Sequence, residues 1–278
     1  MRHALTLPTG GACADARVLV DLAERAEGAG WDGLFLEDYI VFQGDPSAPT
    51  CDPWIALAGA AARTERILLG TKVTPLARRR PWVVARQAVA IDQLSNGRMV
   101  LGVGLGDVGE HVVRDASFTH FGEVIEPRER AEFLDEALEI IAGLWTGAPF
   151  AHRGPHFRVD EVTFLPVAVQ QPRIPIWVGG GYPNPRAAAR AARWDGSMFY
   201  RADQTGMTPA DVRAIRAAAG NRPYDVMVSA PRSGDPGADG AALDELEEAG
   251  ATWSSRYVPV QDPAAMRRVV ERGPVRGT

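Results

Sequence analysis

DPWIALAGAAARTERILLGTKVTPLARRRPWVVARQAVAIDQLSNGRMVLGVGLG, residues Asp52 to Gly106, reads as helix, strand, loop, helix, strand. Asp52 is a good helix N-cap and Pro53 suits the first helical position. The apolar run Ile67–Val73, bounded by Arg66 and Pro75, has the length and composition of a strand buried on both faces. Pro81 restarts a helix in which Val84, Ala88, Ile91 and Leu94 fall at helical spacing. Ser95-Asn96-Gly97 stops it, and Met99–Val103 is the next strand. Two strands joined by a covering helix require a right-handed crossover. That crossover delivers Gly102, Gly104 and Gly106 to the sheet edge where α/β folds place their ligands.

The same rhythm extends in both directions. Residues 2–8 alternate as a first strand; Asp15 caps a helix ended by Gly28 and Gly30; Leu34-Phe35-Leu36 delivers Glu37, Asp38 and Tyr39 at its end. A charged amphipathic helix is predicted over about 128–145. Residues 148–172, rich in Pro, Gly and aromatics, suit an inserted hairpin packed over the fold. Beyond them come strands near 176, 198, 227 and 255, each followed by helical sequence opened by Asn184-Pro185, Thr208-Pro209 or Asp262-Pro263, or closed by Gly250. Strands near residues 4, 35, 69, 101, 176, 198, 227 and 255 make eight, interleaved with helices, which argues for a closed (β/α)8 barrel over an open sheet. Gly30-Trp31-Asp32-Gly33 recurs as Arg193-Trp194-Asp195-Gly196, each between a helix and a strand, as repeated βα units would place it.

Composition narrows the class. The 278 residues are 46% apolar and 23% charged with net charge −5, and the 30 basic residues are spread along the chain, so no nucleic-acid surface is indicated. No segment approaches ~20 uninterrupted apolar residues, and the start of the chain is too short and too broken by Pro8 for a signal peptide, which leads us to expect a cytoplasmic protein with no membrane partner. Cys13 and Cys51 have no metal-ligand company and read as reduced structural thiols. His111 and His120, nine apart on polar sequence, do not have metal spacing, and no metal site is expected. No GxSxG, HExxH or paired-Cys pattern supports a hydrolase or zinc enzyme.

The LGTxVTPxxRRxPxxxARxxxxxDxLSxGRxxLGVGxG pattern of the quoted stretch resembles the bacterial luciferase-like flavin-dependent oxidoreductases. The resemblance implies a TIM barrel over residues 1–278 as one domain, with an inserted segment near 107–172. It implies reduced FMN or the deazaflavin coenzyme F420 as cofactor, a small organic substrate and a homodimer. Related enzymes hold the cofactor phosphate at the glycine run that falls here on Gly179, Gly180 and Gly181, where a bare backbone and the following helix N-terminus favour an anion; a plain turn is the other reading. They back the flavin ring with a cis non-proline peptide, which falls on Lys72-Val73 after Thr71. The first of those two residues is often small in deazaflavin enzymes, so Lys72 is a departure that tilts the expectation towards FMN. Gly102, Gly104 and Gly106 are not a dinucleotide-binding fingerprint, because the third element of GxGxxG falls on Asp107. They make room beside the ring or serve as packing glycines.

For catalysis the resemblance points to Asp38 and Tyr39, where related enzymes often carry Asp-His. A phenol with pKa ≈ 10 donates a proton or stabilises an oxyanion, and is a poor base near neutrality. Tyr39 therefore opens an alternative, a barrel that binds flavin without turnover. Arg78-Arg79-Arg80 receives an anionic ligand or is a solvated loop. Lys72, the sole lysine, would be the Schiff-base residue of an unrelated barrel aldolase. Segments 107–126 and 148–172 are expected to close over the site as lids.

Overall fold

The computed structural model describes residues 1–106, 116–201, 203, 205–259 and 262–276. In chain order its elements are β1 (Arg2–Leu7), α1 (Ala16–Gly28), β2 (Gly33–Leu36), α2 (Pro53–Arg63), β3 (Leu68–Thr71), β4 (Thr74–Pro75), α3 (Pro81–Leu94), β5 (Met99–Gly104), α4 (Ser117–His120), α5 (Pro127–Leu144), β6 (Pro149–Arg153), β7 (Arg158–Thr163), β8 (Ile176–Tyr182), α6 (Pro185–Ala191), β9 (Gly196–Arg201), α7 (Pro209–Ala219), β10 (Asp225–Ser229), α8 (Pro236–Glu248), β11 (Trp253–Tyr257) and α9 (Pro263–Glu271). The parallel strands run in the order β3-β2-β1-β11-β10-β9-β8-β5, and β3 pairs with β5 to close the ring, while β4 extends the edge of β5. This is the eight-stranded (β/α)8 barrel, and all eight expected strands are in it.

Side-chain chemistry places the helix starts where the sequence signals them. Asp52, Asp15, Asn184 and Asp262 each accept backbone N–H bonds as N-caps, and Thr208 forms a capping box with Asp211. Asp32 of the first Trp-Asp-Gly unit accepts the N–H of His3 at 2.8 Å and returns its own N–H to the His3 carbonyl at 2.8 Å. Asp195 of the second unit does the same to Ile176, at 2.8 and 2.9 Å. The repeated motif thus pins the register of each strand to the one before it at the closed end of the barrel. Arg98, the arginine of the family-like motif, is a structural clamp: its guanidinium donates to the carbonyls of Ser95, Ile67, Ala61 and Thr64 and to Thr64 Oγ1, at 2.6–3.1 Å. It ties the end of α2 to the starts of β3 and β5.

The barrel interior is filled by Ala4, Phe35, Val100, Trp177, Met198, Met227 and Trp253. Phe35 stacks on Trp177 at 5.6 Å, and Trp253 meets both edge-on. This aromatic plug closes the barrel and forms the base on which the mouth is built. The larger core lies between strands and helices.

Two expectations about the insertion need correction. The segment 107–172 contains α5, an ordinary barrel helix following β5. The hairpin β6–β7 is present, but it packs on the outside: Phe157 meets Trp82 and Phe133, and Glu136 of α5 accepts the N–H groups of His156 and Phe157. The connection after it returns to the barrel base, where Gln170 bonds Asp92 and the Met99 carbonyl. The aromatics of the hairpin are spent on the α3–α5 surface, so it is no lid. Among the described residues no helix is long and apolar enough to cross a membrane.

Candidate active site

The C-terminal ends of the strands surround a cavity of about 1830 Å³, lined by Thr6, Glu37, Tyr39, Lys72, Val73, Gly104, Gly106, Gly179–Gly181, Met198 and Tyr257 among others. No residue of 148–172 lines it, whereas Glu126, Pro127 and Arg128 do. Asp107 and His111 lie outside the described residues. His120 is exposed at the end of α4.

The glycines on one side of the mouth have different duties. A Cβ on Gly102 would lie 1.8 Å from the carbonyl oxygen of Thr71, so β3 and β5 can pair here only without a side chain. Thr71 Oγ1 in turn donates to the Gly102 carbonyl at 2.7 Å. Thr71 and Gly102 therefore join two strands beneath the mouth, and neither lines the cavity. Gly104 and Gly179 do line it. Added Cβ atoms there would come within 2.8 and 2.7 Å of the methyl groups of Val73. Val73 is thus seated between two bare backbones, with the cis Lys72–Val73 peptide before it. Gly106 takes a left-handed conformation at φ 74°, and Arg130 of α5 fixes the turn by donating to the carbonyls of Leu105 and Gly106 at 2.8 and 2.9 Å.

Gly179, Gly180 and Gly181 do not form a loop. They continue β8 and pair in register with Met198, Phe199 and Tyr200 of β9. Parallel pairing holds the glycine backbone extended, and the turn comes only at Pro183. Asn184 Oδ1 then accepts the N–H groups of Arg186 and Ala187 at 3.1 and 3.2 Å, so the donors expected to meet a phosphate already have a side-chain acceptor. What the triplet offers is open space: a Cβ at Gly180 or Gly181 would meet nothing nearer than 3.5 Å.

Asp38 and Tyr39 both border the cavity, but their side chains have different surroundings. The Asp38 carboxylate has no solvent exposure and accepts Thr74 Oγ1 at 2.9 Å and Arg79 Nη2 at 2.8 Å, with Arg78 Nη2 at 3.5 Å. Arg78 also donates to the Asp38 carbonyl, and its guanidinium lies over the Phe118 ring. A buried carboxylate requires partners, and the arginine cluster supplies them. Arg78 and Arg79 are therefore turned inward to Asp38, and Arg80 alone of the three is exposed. Tyr39 is half-buried in the cavity wall, edge-on to Phe42 at 6.0 Å.

Of the groups around Lys72, the sequence delivers Glu37 to a strand end beside Asp38 and Tyr39 but does not single out Thr6, Ser255 or Tyr257. Leu36 pairs with Thr71, and the Lys72 N–H donates to the Leu36 carbonyl at 2.8 Å, so Glu37 and Lys72 occupy neighbouring rim positions. Thr6 and Ser255, bonded through their hydroxyls at 2.7 Å, continue the polar arc to Tyr257. Burial pushes the Lys72 amine down to about 8; the Glu37 carboxylate opposes this and Arg232 adds to it. Burial, reinforced by the charge of Glu37, raises the Tyr257 phenol above its ordinary range. The signal that would have found them is positional: the residue after each strand end faces the mouth of such a barrel.

A profile of the luciferase-like monooxygenase family matches residues 1–261. The chain is 34% identical over 177 residues to an F420-dependent glucose-6-phosphate dehydrogenase from Nakamurella multipartita, a match covering 63% of this chain and 48% of that one. It is 30% identical over 262 residues to the F420-dependent hydroxymycolic acid dehydrogenase of Mycobacterium tuberculosis, covering 92% and 69%. The first of these matches and those like it span about half the length of the curated relatives. Among solved structures, the coenzyme F420 dependent tetrahydromethanopterin reductase from Methanopyrus kandleri superposes with a TM-score of 0.75 at 17% identity, covering 98% of each chain. Structures of the same fold include monooxygenases, one of them in complex with FMN.

Proposed function

Since this chain belongs to the luciferase-like monooxygenase family, we propose that it is an oxidoreductase that moves a hydride between coenzyme F420 and a small alcohol or carbonyl compound. The observation that carries the proposal is one cavity whose wall joins the bare strand ends of β5 and β8 to polar and ionisable strand ends of β3, β2, β1 and β11. Gly180 and Gly181 on β8 leave open space that a flat ring system fits, beside Val73, which is seated against Gly104 and Gly179. Lys72, Glu37, Thr6 and Tyr257 stand on the other strands of the same mouth.

When bound, the deazaflavin supplies a two-electron hydride donor or acceptor. The chain's residues do the rest. Val73 and the glycine edges hold the ring face. The exposed Arg186 and the cavity-lining Arg128 are available to an anionic tail. Tyr39 offers a hydroxyl to a substrate oxygen. Asp38, locked to Arg79 and Thr74, positions the loop that carries Tyr39 rather than meeting substrate. The two relatives named above, 34% and 30% identical, are F420-dependent dehydrogenases, which supports that cofactor over the FMN expectation raised by Lys72. The structures with FMN speak to the fold. We extend the reading to a cytoplasmic homodimer acting on a small molecule, as the family resemblance implies.

Paired titrations of the apo-protein with F420 and FMN, oxidised and reduced, followed by tryptophan quenching, test the reading. Saturable quenching by F420 at micromolar concentration, with FMN far weaker, is the expected result. FMN binding alone would redirect the chemistry to oxygen activation, and binding of neither would refute the proposal. Turnover lost in Tyr39→Phe with cofactor binding retained would separate catalysis from a non-catalytic flavin-binding barrel.

A further inference from the structure

Lys72 is the sole lysine of the chain, and it stands at the mouth of the barrel, lining the cavity. In the ring order β3, β2, β1 and β11 are successive neighbours. Their ends carry Lys72, Glu37, Thr6 and the pair Ser255 and Tyr257, all on the cavity wall. The glycine edges of β5 and β8 form another part of the same wall. A substrate between the two would have hydrogen-bonding and ionisable groups on one side and the bare shelf on the other.

We propose that Lys72 is the acid–base residue of this site: its neutral amine accepts the hydroxyl proton of an alcohol substrate while the hydrogen on the carbinol carbon leaves as hydride for the deazaflavin. The O–H and C–H bonds break, the C=O bond forms, the alcohol is oxidised by two electrons and the deazaflavin is reduced by the same two. In the reverse direction the ammonium returns the proton to the carbonyl oxygen. The assignment of this proton rests on the hydride-transfer reading above; the poised amine itself does not.

Glu37 from the end of β2 and Arg232 from the segment after β10 act on the Lys72 amine, and both act also on Tyr257, which lines the same cavity from the end of β11. Arg232 also donates to the Tyr257 carbonyl at 2.5 Å. Asp38, next along the chain from Glu37, is engaged by Arg79. Burial lowers the amine to about 8, with Glu37 pulling it up and Arg232 pushing it down, so both protonation states are accessible close to neutral pH. Tyr39, as a phenol, would be a poor proton acceptor at that pH.

A single lysine permits a direct measurement on the cofactor-free protein. Reductive methylation with ¹³C-formaldehyde gives one dimethyl-lysine resonance, separate from that of the Met1 amine, and its chemical shift reports the protonation of Lys72 alone. The expected midpoint lies well below that of a free dimethyl-lysine. It falls by about half a unit or more in Glu37→Gln and rises comparably in Arg232→Gln. An ordinary lysine midpoint, unchanged in both variants while circular dichroism shows them folded, overturns the proposal.

Lys72→Arg keeps the charge but releases no proton in this range. F420 reduction with glucose 6-phosphate as probe is expected to fall at least about 100-fold in it, with F420 affinity retained. A Lys72→Arg variant turning over at the wild-type rate also overturns the proposal. A lowered and variant-sensitive midpoint in a protein that does not bind F420 would retain the poised lysine and remove the deazaflavin reading.

Discussion

Asp38 and Tyr39 are adjacent in sequence and were paired as catalytic candidates, yet burial separates their duties. The Asp38 carboxylate faces two guanidinium groups and a threonine hydroxyl without solvent; burial works to lower the Arg79 pKa, but Asp38 and Asp52 together outweigh it and the net direction is upward. Asp38→Asn would take the Asp38 charge away from Arg78 and Arg79, leaving Arg79 with Asp52 at 3.5 Å. It is expected to cost about 3–5 kcal/mol in urea unfolding, whereas Tyr39→Phe is expected to move stability by less than about 1 kcal/mol. A Asp38→Asn protein of unchanged stability and reduced kcat would place Asp38 in the chemistry. Both residues were legible as site neighbours because they follow a strand. Which one is available to a substrate was not, because the partners of Asp38 lie some forty positions away, at Arg78 and Arg79.

At the scale of elements, the hairpin β6–β7 shows how an apolar-rich insertion can be expected at the mouth and found on the flank. Glu136 of α5 holds it by accepting the N–H groups of His156 and Phe157 and bonding His152 Nε2 at 2.9 Å. Burial works to raise the Glu136 pKa, but the His152 bond and the two N–H groups outweigh it and the net direction is downward. A carboxylate lowered in the folded state contributes stability above its unfolded pKa, near 4.5, and that contribution is lost as pH falls through the lowered folded value. Glu136→Gln is expected to cost about 1–3 kcal/mol at pH 7, with a difference from wild type that shrinks in acid unfolding below pH 4.5. Because the hairpin does not line the cavity, F420 affinity in this variant should match the wild type, and a large loss of affinity would put the hairpin back over the site.

For the whole molecule, strand closure brings together groups spread from Thr6 to Tyr257, so occupancy of the mouth acts on the global unfolding equilibrium. A cofactor bound only to the folded barrel at about 100 times its Kd adds about 2.7 kcal/mol. Thermal unfolding with saturating F420 is therefore expected to shift upward by several degrees, and an unshifted transition would mean that the mouth holds no F420. The same closure explains why Gly102 and Gly104, two residues apart on one strand, differ: the first is pressed on the Thr71 carbonyl below the mouth, and the second opens onto the cavity beside Val73.

The eight strands, the helix caps and the barrel itself were legible in the sequence, because burial periodicity and capping depend on neighbours within a few positions. The Trp-Asp-Gly repeat was visible too, although its register-pinning bonds were not. Tertiary structure alone decided that Gly179–Gly181 extend a strand, that Asn184 takes the helix donors, that Arg78 and Arg79 turn inward to Asp38, and that Lys72 shares its cavity with Glu37 and Tyr257. Those outcomes depend on distances between residues far apart in the chain, which closing the barrel sets and local sequence does not encode.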